Sequence, residues 1–391
     1  MTRLRGGGWG RGTLGLVLSG GGARGAFQVG AYERLLQDPR FARGPGVVSG
    51  TSAGAINAAL IAAGHSPREM MAFWNGITED PPVIASADFF RGAVRTLVRL
   101  TAEEFLRWLG SPGPLRAFLQ HARHHLPPRR GSFLAAWVEY LLTARFELVS
   151  RLLEGIREPF VVDTAPLRAR LVDVLGGERV PTRGLRLAIN TVDAHTGRVV
   201  RFVTADTPLT RAPDYVVVDA ITVDMVLASA SIPLLFPAIQ IGPHLLWDGG
   251  LLVNTPLAPV VALGADEIVT VLVTEPPDPN PGPFAHFGRA VERTVDSFLE
   301  NAYNIDRKLL LERNRLARLE GGLYRDVTLY EVVRPARDAC FTAGSYLYFE
   351  QRVLAAMYEA GGRAASAWLA AGPRVDRLDA VDMPADASVP A

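Results

Sequence analysis

"GVVSGTSAGAINAALIAAG", residues 46–64, is the stretch whose reading decides the fold. It runs from a short β-like segment, through Gly50-Thr51-Ser52-Ala53-Gly54, into an Ala-rich segment of helical character. A serine fenced by two glycines at such a junction has little packing value. The turn is tight, a side chain at either flank would clash, and the arrangement makes sense if the Ser52 hydroxyl is presented outward. G-x-S-x-G between strand and helix has the form of a nucleophile elbow, with the serine oxygen near the positive end of the following helix. The plainer alternative is a small-residue turn where helix and strand pack closely.

Working outward, "TLGLVLS" (13–19) is an apolar run with strand character, closed by Gly20-Gly21-Gly22. "ARGAFQVGAYERLLQ" (23–37) follows with helical spacing, placing Phe27, Ala31 and Leu35 on one face. Two strand–turn–helix units in succession predict an α/β fold with a largely parallel sheet. Residues 85–160 are helical in pattern and read as an insert or cap. Strand signals return at 184–192 and 197–204, joined by the turn-rich "DAHTG". Residues 219–237 read as a helix stopped by Pro233. "AIQIGPHLLWDGG" (238–250) reads as a hairpin about Gly242-Pro243 that ends in Asp248-Gly249-Gly250, and 266–275 as a buried strand. Helical patterns cover 285–318 and 343–371. The expected organisation is a flexible N-terminus at 1–12 and a catalytic domain at 13–275 that includes the insert 85–160. A C-terminal helical extension packed on the core follows at 276–372, then a polar, disordered tail at 373–391.

Composition narrows the function classes. With 48% apolar residues the chain can bury a sizeable core, and a net charge of +1 gives no global pull toward nucleic acid. Basic residues are almost all arginine, Lys308 being the one lysine. Cys340 is alone, which excludes an internal disulfide framework and a cysteine-based metal site. "MTRLRGGGWGRGT" has basic residues but no apolar h-region after them, and no apolar run reaches transmembrane length. A soluble or peripheral protein is expected, placed in the cytoplasm and peripheral to the inner face of the membrane. No acidic cluster has calcium-loop spacing, so neither metal nor cofactor is expected.

Three glycine-bearing segments carry the chemistry. Gly20-Gly21-Gly22-Ala23-Arg24-Gly25 leaves unshielded N–H groups between a strand and a helix, where negative oxygen binds. It lacks the lysine of a Walker A loop. Read as G-x-G-x-x-G on Gly20, Gly22 and Gly25, it lacks the acidic residue at the end of a second strand. The other use of clustered donors is an oxyanion hole, which requires a nearby nucleophile such as Ser52. That serine needs a base. Of the histidines, His121, His124 and His125 read as surface, His65 and His286 as loop or helix-end residues, and His195 as part of a hairpin turn. His244, four residues before Asp248, remains open. Asp248 fits better, because it ends an apolar strand and Gly249-Gly250 allow close approach behind it.

G-G-G-x-R-G, then G-T-S-A-G, then D-G-G, each at a strand end, resembles the patatin-like phospholipase family. "DTAPLR" (163–168), "LAINTVDAHTGRVVRF" (187–202) and "ASASIPLLFPAI" (228–239), just before "WDGGLLVNTPL", extend the resemblance over residues 13–275 apart from the insert. The resemblance implies a three-layer α/β/α sandwich and lipid acyl hydrolysis by a Ser–Asp dyad without histidine. Ser52 would be the nucleophile and Asp248 its base. The amides of Gly21, Gly22 and Ala23 would form the oxyanion hole, with Arg24 steadying that loop or holding an anionic head group.

The expected reaction is cleavage of fatty-acyl esters of phospholipids or lysophospholipids. An acyltransferase or general carboxylesterase would share the acyl-enzyme, and a nucleotide- or anion-binding protein or a membrane scaffold would use the glycine loop alone. Within the insert, Arg91, Arg95 and Arg99 recur at i, i+4 beside Phe89, Phe90, Leu97 and Phe105. The pattern fits a lid helix with a solvated arginine face or a basic amphipathic helix on an anionic membrane. The expectation is a cap with an apolar inner wall of Phe89, Phe90, Leu97 and Phe105 and with the three arginines outward.

Overall fold

The computed structural model describes residues 12–79, 83–110, 146–276, 287–320, 325–337, 341 and 343–377, with a few positions between 113 and 120. His121, His124, His125, His286, Cys340, residues 1–11 of the expected flexible N-terminus and 378–391 of the expected tail lie outside these residues. The chain divides into two compact units, one of Met1–Pro82, Thr164–Pro233 and Ala238–Ala391, the other of Val83–Asp163 with Leu234–Pro237.

The larger unit begins with β1 (Leu14–Leu18), α1 (Gly25–Leu36), β2 (Val47–Gly50), α2 (Ala53–Ala62) and α3 (Pro67–Glu79). The smaller unit holds β3 (Ile84–Ala85), α4 (Ala87–Gly110), α5 (Phe146–Gly155) and β4 (Val162–Asp163). The larger unit resumes with α6 (Ala165–Leu175), β5 (Arg186–Asp193), β6 (Val199–Val203), β7 (Tyr215–Val217), α7 (Val223–Ser229), β8 (Ile239–Ile241) and β9 (His244–Asp248). It ends with α8 (Leu257–Ala262), β10 (Glu267–Val271), α9 (Phe287–Glu320), β11 (Thr328–Leu329) and α10 (Gln351–Ala370).

The main sheet runs β11-β10-β1-β2-β5-β6-β7, parallel from β11 through β5. Buried parallel strands read as continuous apolar runs because both faces are covered. Alternate residues here feed two cores. Leu16, Leu18, Val48, Leu187, Ile189, Val269 and Val271 face one side with α1, α2, α3, α6, α7 and α10. Val17, Val47, Ala188 and Ile268 face the other with α8 and α9. This is a three-layer α/β/α sandwich, as the sequence predicts.

β5 is the hinge of the topology. One edge pairs with β6. The other carries two partners in succession, β2 in parallel over Arg186–Ile189 and β9 antiparallel over Thr191–Asp193. Gly50 is opposite Ile189 and Asp248 opposite Thr191, so the ends of β2 and β9 meet on neighbouring rungs of one strand. The β8–β9 hairpin turns at Gly242, whose φ of +56 supplies the left-handed turn residue. α7 stops at Ser229, ahead of Pro233, because the chain leaves the helix there and the Ser231 carbonyl accepts from the Asp248 N–H at 2.9 Å.

In the smaller unit α4 buries Thr96, Leu100 and Glu104. It packs on α5, with Thr96 Oγ1 donating to the Gly155 carbonyl at 3.0 Å and Arg151 pairing with Glu103. A helix turns 100° per residue, so Phe90, Val94, Leu97, Val98 and Phe105 fall on another face. Of the four aromatic and aliphatic residues expected on an inner wall, Phe90, Leu97 and Phe105 are 49%, 42% and 56% exposed; Phe89 is half-buried. Arg91, Arg95 and Arg99 are exposed, as expected.

Candidate active site

The Ser52 backbone has φ 56 and ψ −124, a conformation that non-glycine residues hold only where the surroundings enforce it. Three constraints enforce it. The Thr51 N–H donates to the Leu18 carbonyl, the Thr51 hydroxyl to the Val253 carbonyl at 2.8 Å, and the Ser52 N–H to the Ser229 hydroxyl at 3.0 Å. Ser229 in turn donates to the Asn190 carbonyl at 2.6 Å, and the Asn190 amide donates to the Gly50 carbonyl at 2.8 Å. The glycines are steric requirements. A Cβ on Gly50 would lie 2.1 Å from the Gly54 carbonyl oxygen, and one on Gly54 would lie 2.2 Å from that of Leu18. The elbow therefore closes on itself and on the end of β1.

Asp248 ends β9 and is 5% exposed, Ser52 6%. The Gly250 N–H donates to Asp248 Oδ1 at 2.7 Å, and the Ser52 hydroxyl acts on the same carboxyl as a neighbour that favours its ionised form. Burial dominates the electrostatics: among the described residues no cation offsets it, and the carboxyl is pushed up to about 7 although Gly250 and Ser52 both act to lower it. Gly249 is needed for close packing, since a Cβ there would meet the Asn190 carbonyl at 2.4 Å; Gly250 allows the return bond to Asp248.

His244, the other candidate base, sits at the opposite end of β9. Its Nδ1 is 2.8 Å from Asp193 Oδ2. Burial acts to raise the Asp193 carboxyl, but hydrogen bonds from His244, Thr196 and His195 outweigh it and hold it at about 2. Four strand residues span about 13 Å, so this ring does not share the Ser52 hydrogen bond.

The glycine loop runs beside the serine; a Cβ on Gly20 would lie 3.1 Å from that of Ser52. The Gly20 N–H donates to the Asn254 carbonyl at 3.0 Å and the Arg24 N–H to Gly21 at 3.1 Å. Among the described residues no hydrogen bond is made by the N–H groups of Gly21, Gly22 or Ala23. Beneath the loop the Asn57 amide donates to the Gly25 carbonyl and to Gln28, and Trp74 donates to Asn57, each at 2.9 Å. Gly25 itself has no room for a side chain against the Trp74 ring. Arg24 points away from the serine. Its side chain is fully buried and committed to internal partners, so of its two expected roles, steadying the loop fits the geometry and holding a head group does not. Asn190, Ser229 and Asn254 are supporting residues that motif spacing does not single out.

A family model described as patatin-like phospholipase matches residues 16–261, from β1 through α8. The chain belongs to the patatin-like phospholipase family. It is accordingly a lipid acyl hydrolase. Among solved structures, VipD from Legionella pneumophila is similar at 16% identity, over 95% of this chain and 69% of that one, with a TM-score of 0.38. The type III effector protein ExoU is similar at 17% identity over 92% of this chain and 53% of that one, TM-score 0.33. ExoU in its heterodimeric complex with SpcU, from Pseudomonas aeruginosa, is similar at 15% identity over 92% and 59%, TM-score 0.27. The chain thus spans only part of the length of these proteins. No curated protein matches it. Among the described residues no group of three or more His, Cys, Asp or Glu could hold a metal ion, and no helix is long and apolar enough to cross a membrane.

Proposed function

We propose that this patatin-like hydrolase cleaves fatty-acyl esters of phospholipids or lysophospholipids through an acyl-enzyme on a Ser52–Asp248 dyad. The observation that carries the reading is the Ser52 hydroxyl acting on a buried Asp248 carboxyl on which, among the described residues, no charged group acts. Ser52 Oγ attacks the ester carbonyl and its proton passes to Asp248. The carbonyl oxygen becomes an oxyanion and takes hydrogen bonds from the N–H groups of Gly21, Gly22 and Ala23, which have no acceptor among the described residues. Collapse expels the alcohol, which leaves with the proton from Asp248. Water then adds to the acyl carbon as it gives a proton to the same carboxylate, and collapse releases the fatty acid while Ser52 Oγ takes that proton back from Asp248. A base near pH 7 suits both proton transfers. The same acyl-enzyme would serve an acyltransferase if an alcohol replaced water.

Ser52→Ala and Asp248→Asn are each expected to abolish hydrolysis of a short-chain nitrophenyl ester while leaving the fold intact. Members of one catalytic unit are non-additive, so the double variant should be little worse than either single one. Wild-type turnover in Asp248→Asn would remove the dyad. A fluorophosphonate that labels the wild type but not Ser52→Ala would identify the nucleophile independently.

A further inference from the structure

Arg24 closes the first turn after the glycine loop, and its side chain has no exposure at all. Every described partner of its guanidinium apart from the Val273 carbonyl comes from the C-terminal extension, beyond residues 16–261 that the family model matches. Nε donates to Ser345 Oγ at 2.9 Å, and Nη1 to the Val273 carbonyl at 3.1 Å and to Asp296 Oδ1 at 3.4 Å. Nη2 lies 3.8 Å from Glu292 Oε1. The guanidinium carbon is 3.8 Å from the centre of the Tyr346 ring and 5.3 Å from that of Phe341. The Tyr346 hydroxyl donates to Asp296, which closes the cluster. The Tyr346 carbonyl also lies against the loop backbone, because a Cβ on Gly22 would come within 1.9 Å of it.

We infer that the C-terminal extension is a brace for the oxyanion loop, with Asp296 of α9 and Ser345 and Tyr346 of the following segment as positioning residues for hydrolysis. The inference rests on the proposed role of the Gly21–Ala23 amides. Oxyanion donors contribute only when fixed in place before charge develops. Three free amides in a glycine-rich loop have little intrinsic stiffness. Arg24 is the loop's one long side chain, and a planar fork held by two carboxylates, a hydroxyl, a carbonyl and a stacked ring fixes its direction. None of these partners reaches the reacting atoms. They act through Arg24.

The test compares Tyr346→Phe, which keeps the ring, and Ser345→Ala with Asp296→Asn, Arg24→Lys and Arg24→Met in the full chain. Asp376→Asn serves as a control that removes the ion pair made by Arg307 of α9 with the residues after α10. Turnover of a soluble short-chain ester, the rate of fluorophosphonate labelling and the unfolding midpoint are measured for each. The expected result is a fall in kcat of about tenfold or more for Tyr346→Phe and Asp296→Asn, an equal fall in labelling rate and little change in KM. Labelling is included because phosphonylation uses the same donors. Arg24→Lys, which keeps the charge but loses the fork, should recover part of the rate that Arg24→Met loses. Asp376→Asn should lower the midpoint and leave kcat alone. If Tyr346→Phe and Asp296→Asn keep kcat within twofold while Ser52→Ala is inactive, the brace is overturned and the hydrolase reading stands. Loss of kcat that merely follows the unfolding midpoint across all the variants also overturns the brace. Full activity in Ser52→Ala would instead remove the reading on which the brace rests.

Discussion

Asp248 pairs function with instability at the level of a single residue. Its carboxyl is pushed up to about 7 by burial, well above the ordinary carboxylate range. The folded state therefore holds the proton more tightly than the unfolded chain does. Between about pH 4 and pH 7 the folded protein binds more protons, so this group's contribution makes stability fall as pH rises. A shift of about three units corresponds to roughly 4 kcal/mol at the outside, present in full above pH 7 and absent below pH 4. Asp248→Asn should thus be inactive yet more stable than wild type at pH 8, with the gain vanishing near pH 4; urea denaturation at the two pH values checks it. Activity is expected to move the other way, since in the proposed mechanism the ionised carboxylate is the base. kcat/KM of the wild type should rise tenfold per pH unit below 7 and level above it.

At the scale of elements, α4 is the segment whose chemistry looks outward. Phe90, Val94, Leu97, Val98 and Phe105 form an exposed apolar strip bordered by exposed Arg91, Arg95 and Arg99. Arg91 pairs with Asp88 and Arg99 lies near Glu103, both in solvent, where such pairs contribute little. We propose that this helix rests on an anionic phospholipid surface, apolar strip inward and arginines at the headgroup level. Each arginine near such a surface contributes about 1 kcal/mol, weakened by salt. Replacing all three by Gln should cut binding to vesicles of mixed anionic and zwitterionic phospholipid by about two orders of magnitude at low salt. Hydrolysis of a soluble ester should be spared. Co-sedimentation at low and high salt beside the ester assay decides it, and unchanged binding in the triple variant would overturn it.

On the scale of the molecule, the sheet is finished by residues that follow its last helix. Arg374–Asp376 run antiparallel to Leu329–Glu331, with the Asp376 N–H donating to Leu329 and the Glu331 N–H to Arg374. They cover the open edge of β11, which would otherwise present unpaired backbone groups. The segment is pinned by Arg307 of α9, whose guanidinium donates to both Asp376 oxygens at 2.6 Å. Asp376→Asn leaves that partly buried cation with a neutral partner and should cost about 1–3 kcal/mol in urea denaturation, with kcat unchanged. The C-terminal part of the chain thus bonds to the core at two places, the glycine loop through Arg24 and the sheet edge through Arg307.

What the sequence determined by itself was local. G-T-S-A-G between strand and helix already implies the elbow, because the clashes that demand Gly50 and Gly54 lie within a few residues or at the adjacent strand end. The two strand–turn–helix units, the β5–β6 and β8–β9 hairpins and the long C-terminal helices follow from periodicity and turn chemistry for the same reason. β7 and β11, three and two residues long, are too short to leave such a mark. Only the tertiary structure decided which of the two candidate residues stands beside Ser52. Asp248 and His244 lie on one strand four residues apart, and the register of β9 on β5 puts the first beside the elbow and the second beside Asp193. It also decided which way Arg24 points and which face α4 hides. Helical spacing gives the angle between side chains, but what stands opposite each face is set by residues far along the chain.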